Sequence, residues 1–152
     1  MRARTANWFE TSIRYEKMME DGMMKAVTEL YVVDAFSFGE AEETIQEEMS
    51  SYVSGEMEVK NITPATYHEI FFSENANDDR WYKAKISLIT IDEKTEKEKR
   101  TSVTYLVQAS DFNGAVKNVE EAMKGTIVDW VTVNVSETRI MDVFEHKAHV
   151  KE

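Results

Sequence analysis

The sequence predicts an α+β fold. We expect two layers, an antiparallel sheet with two helices on one face, built by internal duplication of a strand-strand-helix-strand unit. Three observations predict it. WFETSIRY from Trp8 returns as WYKAKISL from Trp81, and TELYVVDAFSFGEAEETIQEEM returns as TSVTYLVQASDFNGAVKNVEEAM. The opening segment of each copy alternates apolar and polar side chains with the period of a strand. The closing part of each copy then repeats its apolar side chains at helical spacing.

In the first copy Phe9, Thr11, Ile13 and Tyr15 alternate with Trp8, Glu10, Ser12 and Arg14, which predicts a half-buried strand. In the second, Tyr82, Ala84, Ile86 and Leu88 take one face, and Trp81, Lys83, Lys85 and Ser87 the other. Met18–Met24 and DEKTEKEKR, residues 92–100, are the expected turns; the second mixes both charges and reads as a solvated hairpin tip. Each second strand ends at an alanine, Ala35 or Ala109, and a helix follows. Ser37 with Glu40 forms a capping box, and Asp111 takes the matching cap position. Phe38, Ala41, Ile45 and Met49 then form one stripe, and Phe112, Ala115, Val119 and Met123 its counterpart, read as core seams. Gly125 is a suitable stop. Strand-like runs follow at residues 57–62 with 65–72, and at 127–135 with 139–144; Pro64 lies between the first two. One domain over residues 1–152 is therefore expected. Its repeats cover about 8–72 and 81–144, and the linker 73–80 contains SENANDD.

A chain of 152 residues can bury a core without disulfides or metals. It has no cysteine, which excludes thiol nucleophiles and Cys-ligated zinc. No apolar run reaches membrane-spanning length, and MRARTANWFE has no apolar stretch behind its arginines, so no signal peptide and no membrane are expected and the cytoplasm is the default. The net charge of −11 opposes long-range attraction to nucleic acid, although a local basic face is compatible with it.

Signals of catalysis are few. There is no glycine-rich phosphate loop, and the sequence points to no catalytic residue, cofactor or metal. His146 and His149 have a spacing that could seat a metal on a helix, but a frayed tail fits them as well. Glu69 and Asp142 are a matched pair of carboxylates, a type suited to acid–base work and also routine on exposed strands.

Trp8 and Trp81 open the two repeats on the face opposite the apolar stripe, with Arg14 beside the first and Arg80, Lys83 and Lys85 beside the second. Aromatic rings interleaved with cations suit single-stranded nucleic acid, through stacking and phosphate contacts. They equally suit indoles covered by a loop or a partner subunit. The reading is a non-enzymatic interaction module, a homo-oligomer using an exposed sheet face. The alternative is a single-stranded nucleic-acid-binding protein of phage or mobile-element type, with Trp8, Arg14, Arg80, Trp81, Lys83 and Lys85 as its binding residues.

The segments WFETSIRYEK, TELYVVDAFSFGEAEETI, ATYHEIFF, RWYKAKISLITIDEK, TYLVQASDF and ETRIMDVF run from Asn7 to Phe144. Together they resemble an uncharacterised domain-of-unknown-function family of Bacteroides-type bacteria and their phages. The resemblance implies no assigned activity and no catalytic residue; its phage setting implies a bearing on DNA transactions. From Met57 the order of four strands and a helix is also similar to Whirly-like and coactivator-like single-strand binders.

Overall fold

The hairpins set the architecture, and each carries a helix directly behind its second strand. A computed structural model describes residues 1–145; His146 and His149 lie outside them. The strands are β1 (Arg2–Arg4), β2 (Trp8–Met18), β3 (Met24–Asp34), β4 (Met57–Ala65), β5 (Glu69–Phe72), β6 (Arg80–Ile91), β7 (Glu98–Ala109), β8 (Asp129–Glu137) and β9 (Ile140–Phe144). Helix α1 is Phe38–Met49 and α2 is Phe112–Met123. The fold is α+β.

The chain divides into two compact units. The α1 unit comprises Ala6–Ala65 and the segment beginning at Arg139; the α2 unit comprises Met1–Thr5 and Thr66–Thr138. Strand order is β4-β2-β3-β9 in the first and β1-β5-β7-β6-β8 in the second. The order β4-β2-β3-β9 thus matches β8-β6-β7-β5, with β1 added beyond β5. Even the irregularities correspond, since β2 slips register against β4 at Ser12/Ile13, and β6 against β8 at Lys85/Ile86.

Both sheets are mixed, where sequence alternation suggested antiparallel pairing alone. Strand β9 runs parallel to β3, with Tyr31 opposite Asp142, and β5 runs parallel to β7, with Glu69 opposite Tyr105. A parallel neighbour needs a crossover rather than a tight turn, and here it comes from the other half of the sequence. Strand β5 follows β4 in the chain but pairs in the α2 unit; β9 follows β8 but pairs in the α1 unit. The unit boundaries therefore fall after Ala65 and Thr138 rather than within residues 73–80. Ser73 lies well inside the α2 unit, donating through its hydroxyl to Asp78 (2.5 Å) and through its N–H to the Gln108 side chain (2.9 Å).

The helices start where their caps place them. Ser37 Oγ accepts the Glu40 N–H at 3.1 Å, while Glu40 reaches back to the Phe36 N–H at 3.2 Å. Asp111 accepts the Gly114 N–H at 2.7 Å. Gly125 supplies the positive φ (84°) that ends the α2 segment. The buried seams are Ala41, Thr44, Ile45 and Met49 on α1, and Ala115, Val119 and Met123 on α2. Phe38 and Phe112 are exposed, so the seams begin one turn later than the spacing suggested. The first-turn side chain of α1 only reaches the rim of the sheet, where Phe38 meets Phe9 edge-on at 5.2 Å.

A length mismatch matters for the site. Each helix has 12 residues and is about 18 Å long. Each hairpin strand has 11 or 12 residues and runs to about 36–40 Å. The helix therefore covers only the proximal part of its hairpin, and the distal part needs another cover. In the α2 unit Leu88, Val103 and Trp130 extend the apolar core over it. The α1 unit has a different solution.

A methionine-lined cleft over a buried tyrosine–glutamate cluster

The residues singled out by sequence are dispersed. Trp8 and Trp81 are each only 2% exposed. Both indoles are off the helix-facing clusters, as the alternation requires, but neither ring face is open for stacking. Phe72 meets Trp81 edge-on at 5.6 Å, and the Arg2 guanidinium lies 4.3 Å over Phe72. Ile70 and Leu106, on the same helix-distal face, are fully buried. The expected open basic-aromatic surface is therefore apolar and covered at its aromatic positions. Its cations stay at the surface: Arg80 pairs with Glu137 at 3.6 Å, the Lys83 ammonium lies 5.6 Å from the Tyr67 ring centre, and Lys85 is exposed. Trp8 and Arg14 belong to the α1 unit, where exposed Arg14 stands opposite Glu58 across the β2–β4 pair. Acids thus face Arg80 and Arg14, whereas the strand partners directly across from Lys83 and Lys85 are not acids.

A different site emerges at the distal end of the α1 unit. Glu29 on β3 is 8% exposed and its carboxylate accepts from three donors. These are the Tyr15 hydroxyl at 2.5 Å, the Tyr31 hydroxyl at 3.0 Å and the Lys17 ammonium at 3.2 Å. Strand periodicity explains the convergence. Tyr15 and Lys17 are two apart on β2 and Glu29 and Tyr31 two apart on β3, all on one face; Glu29 stands opposite Ile13, so Tyr15 and Lys17 reach it along the diagonal of the hairpin. Tyr31 also stacks on Phe144 of β9 at 5.5 Å and 17°. Asp142 of β9 is the direct partner of Tyr31 across the parallel pair.

Above this cluster lies a cleft of about 540 Å³, within the α1 unit. Met18, Met24, Met49 and Met141 line it, with Tyr52 and Ser54 from the segment after α1. Its charged groups are Glu16, Glu29 and Asp142 against Lys17 alone. Burial, reinforced by the hydrogen bond to Glu29 and its charge, pushes the Tyr15 phenol up to about 12. Burial and then the Glu29 charge raise Tyr31 further still. Both phenols consequently stay protonated at neutral pH and serve as donors, not as bases or nucleophiles. Asp142 keeps solvent-facing surface, yet partial loss of hydration raises its carboxyl, opposed by the N–H donated from Val143 (2.8 Å).

The α2 unit lacks this cluster although its frame corresponds. Tyr105 stacks on Phe71 at 5.0 Å and 19°, as Tyr31 does on Phe144. Glu69 stands opposite Tyr105 as Asp142 does opposite Tyr31. At the positions of Tyr15 and Glu29, however, stand Leu88 and Val103. Sequence reasoning found the Glu69/Asp142 match and missed the rest. The signal was present in that mismatch: a carboxylate on the inward face of one strand where the corresponding strand has valine. Among the described residues no group of three or more His, Asp or Glu is placed to hold a metal ion.

The sequence profile of the family described as a domain of unknown function (DUF4494) matches residues 7–146, so the chain belongs to that family. No curated protein and no solved structure matches it.

Proposed function

We propose that this DUF4494 chain is a non-enzymatic interaction module that takes a small ligand into the α1-unit cleft. One observation carries the reading. Burying a carboxylate is costly, and the corresponding place in the α2 unit is filled by Val103, which carries no such cost. A buried polar cluster that the matching frame of the α2 unit does without, at the floor of a methionine-lined cleft, is best explained by what the cleft binds. The volume lies within the usual range for small-ligand sites. Thioether side chains adapt to varied shapes, and the neutral phenols favour recognition over proton transfer.

Isotope-labelled methionine methyls test this directly. Of nine methionines, Met18, Met24, Met49 and Met141 line the cleft, leaving five as internal controls. Fragments that bind should move the four cleft methyls and leave Met123, in the α2 core, unchanged. A fragment screen whose hits move only methyls outside the cleft would refute the assignment.

A second reading, self-association, is favoured by edge strand β8. It exposes Val131 and Val133 and has no proline or lysine to guard the edge, whereas edge strand β4 carries Lys60 and Pro64. Light scattering should then give a dimer that Val133→Lys dissociates; a monomer for the parent chain removes the reading. The matched strand orders support duplication of one ancestral unit followed by exchange of its last strand. A phage or mobile-element origin belongs with the single-strand alternative, for which the exposed Lys83 and Lys85 are the remaining support.

A further inference from the structure

We propose that the cleft binds a small organic ammonium ion on an apolar stem, with the Glu29 and Asp142 carboxylates as counter-ions and the Tyr31–Phe144 stack and methionine thioethers as the bed for the stem. The inference rests on the cleft reading above and adds the chemistry of the occupant.

Charge complementarity selects the class. Three carboxylates line the cleft against one ammonium. Asp142 has no cationic partner among the described residues, and its one hydrogen bond there is from the Val143 N–H. Ionised Asp142 in a partly dehydrated setting has a deficit that an incoming cation would remove; an anion would deepen it. Glu29 already shows the preferred contact. The Lys17 ammonium sits 3.2 Å from its Oε2 on a stem that is 45% exposed, so an ammonium can reach this carboxylate from the solvent side. A carboxylate offers about four acceptor positions, and three donors leave room for one more.

The rest of the lining selects the stem. Aromatic faces attract cations and pack against the methylenes next to them, and thioethers pack on irregular apolar or aromatic surfaces. A fully hydrated metal ion would use neither. The net charge of −11 also concentrates cations around the whole chain. The volume of about 540 Å³ suits a free small amine.

The test uses three probes of one shape, phenethylammonium, 2-phenylethanol and phenylacetate, on the full chain with labelled methionine methyls. Phenethylammonium should move the four cleft methyls and bind at least about tenfold more tightly than the alcohol, a difference of ~1.4 kcal/mol. Phenylacetate should bind more weakly than either. Asp142→Asn should lower the ammonium affinity several-fold and leave the alcohol unchanged. Tyr15→Phe with Glu29→Val should reduce the preference for charge, and adding Asp142→Asn should abolish it, with the Met123 methyl reporting that the α2 unit stays folded. Equal binding of all three probes at the same methyls, or a preference for phenylacetate, overturns the ammonium assignment and leaves the cleft reading standing. If no probe moves the cleft methyls, both are overturned. A blocked lysine-containing peptide that outcompetes phenethylammonium would overturn the small-molecule assignment alone.

Discussion

Replacing Glu29 by valine puts into the α1 unit the residue that its α2 counterpart already has, yet it should not be neutral. The carboxylate is the acceptor for two buried tyrosines, 8% and 6% exposed, and for Lys17. Removing it leaves the Tyr15 and Tyr31 hydroxyls without that acceptor, at about 1–3 kcal/mol for each hydroxyl that finds no other partner. Relief of the carboxylate's own desolvation offsets part of this. Lys17, half in solvent, rehydrates at little cost. The net expectation is a loss of about 2–4 kcal/mol. The double variant Tyr15→Phe, Glu29→Val should recover to within about 1 kcal/mol of the parent, because only the Tyr31 hydroxyl is then left, as Tyr105 is beside Val103. Urea denaturation followed by circular dichroism gives both values. A double variant as unstable as Glu29→Val, or a single variant as stable as the parent, would refute the account of the cluster.

Ile45→Ala or Val119→Ala should destabilise by about 2–4 kcal/mol, since both side chains are fully buried, while exposed Glu43→Ala should stay within about 0.5 kcal/mol; thermal unfolding compares them. Tyr15 ionises near 10 when unfolded and near 12 when folded, so the folded state holds its proton longer and its contribution is lost as pH rises through that window. Relative to Tyr15→Phe, the parent chain should lose about 2–3 kcal/mol between pH 10 and 12, read by urea midpoints at each pH. Asp142→Asn should raise the urea midpoint slightly at neutral pH while weakening amine binding, because partial desolvation raises the pKa of this still solvent-exposed carboxylate and so its ionised form favours the folded state less; a lowered midpoint contradicts this. Trp81→Ala should unfold the α2 unit rather than selectively remove oligonucleotide affinity, as its indole is buried; a folded variant that loses single-strand binding in fluorescence anisotropy would restore the stacking proposal.

The sequence by itself determined the elements. Alternation placed β2 and β6, caps at Ser37 and Asp111 placed the helix starts, and the seams through Ile45 and Val119 identified the buried faces, because these depend on local periodicity and short-range hydrogen bonds. A further signal was legible but easily overlooked: Tyr31-Val32-Val33 and Tyr105-Leu106-Val107 are apolar on both strand faces, as central strands of a mixed sheet tend to be, and they imply that the tryptophan-bearing face is buried too. Only the tertiary structure decided the partners of β5 and β9. Two hairpins with matching strand order offer corresponding edges, so no local pattern in ATYHEIF or RIMDVF chooses between them. The cleft depends on that choice. Asp142 and Phe144 reach Tyr31 because β9 pairs with β3, so residues more than a hundred positions apart form one wall. Glu29 could be seen in the sequence as an acid on an inward face; that two tyrosines and a lysine converge on it required the hairpin register and a helix too short to cover the strands beneath it.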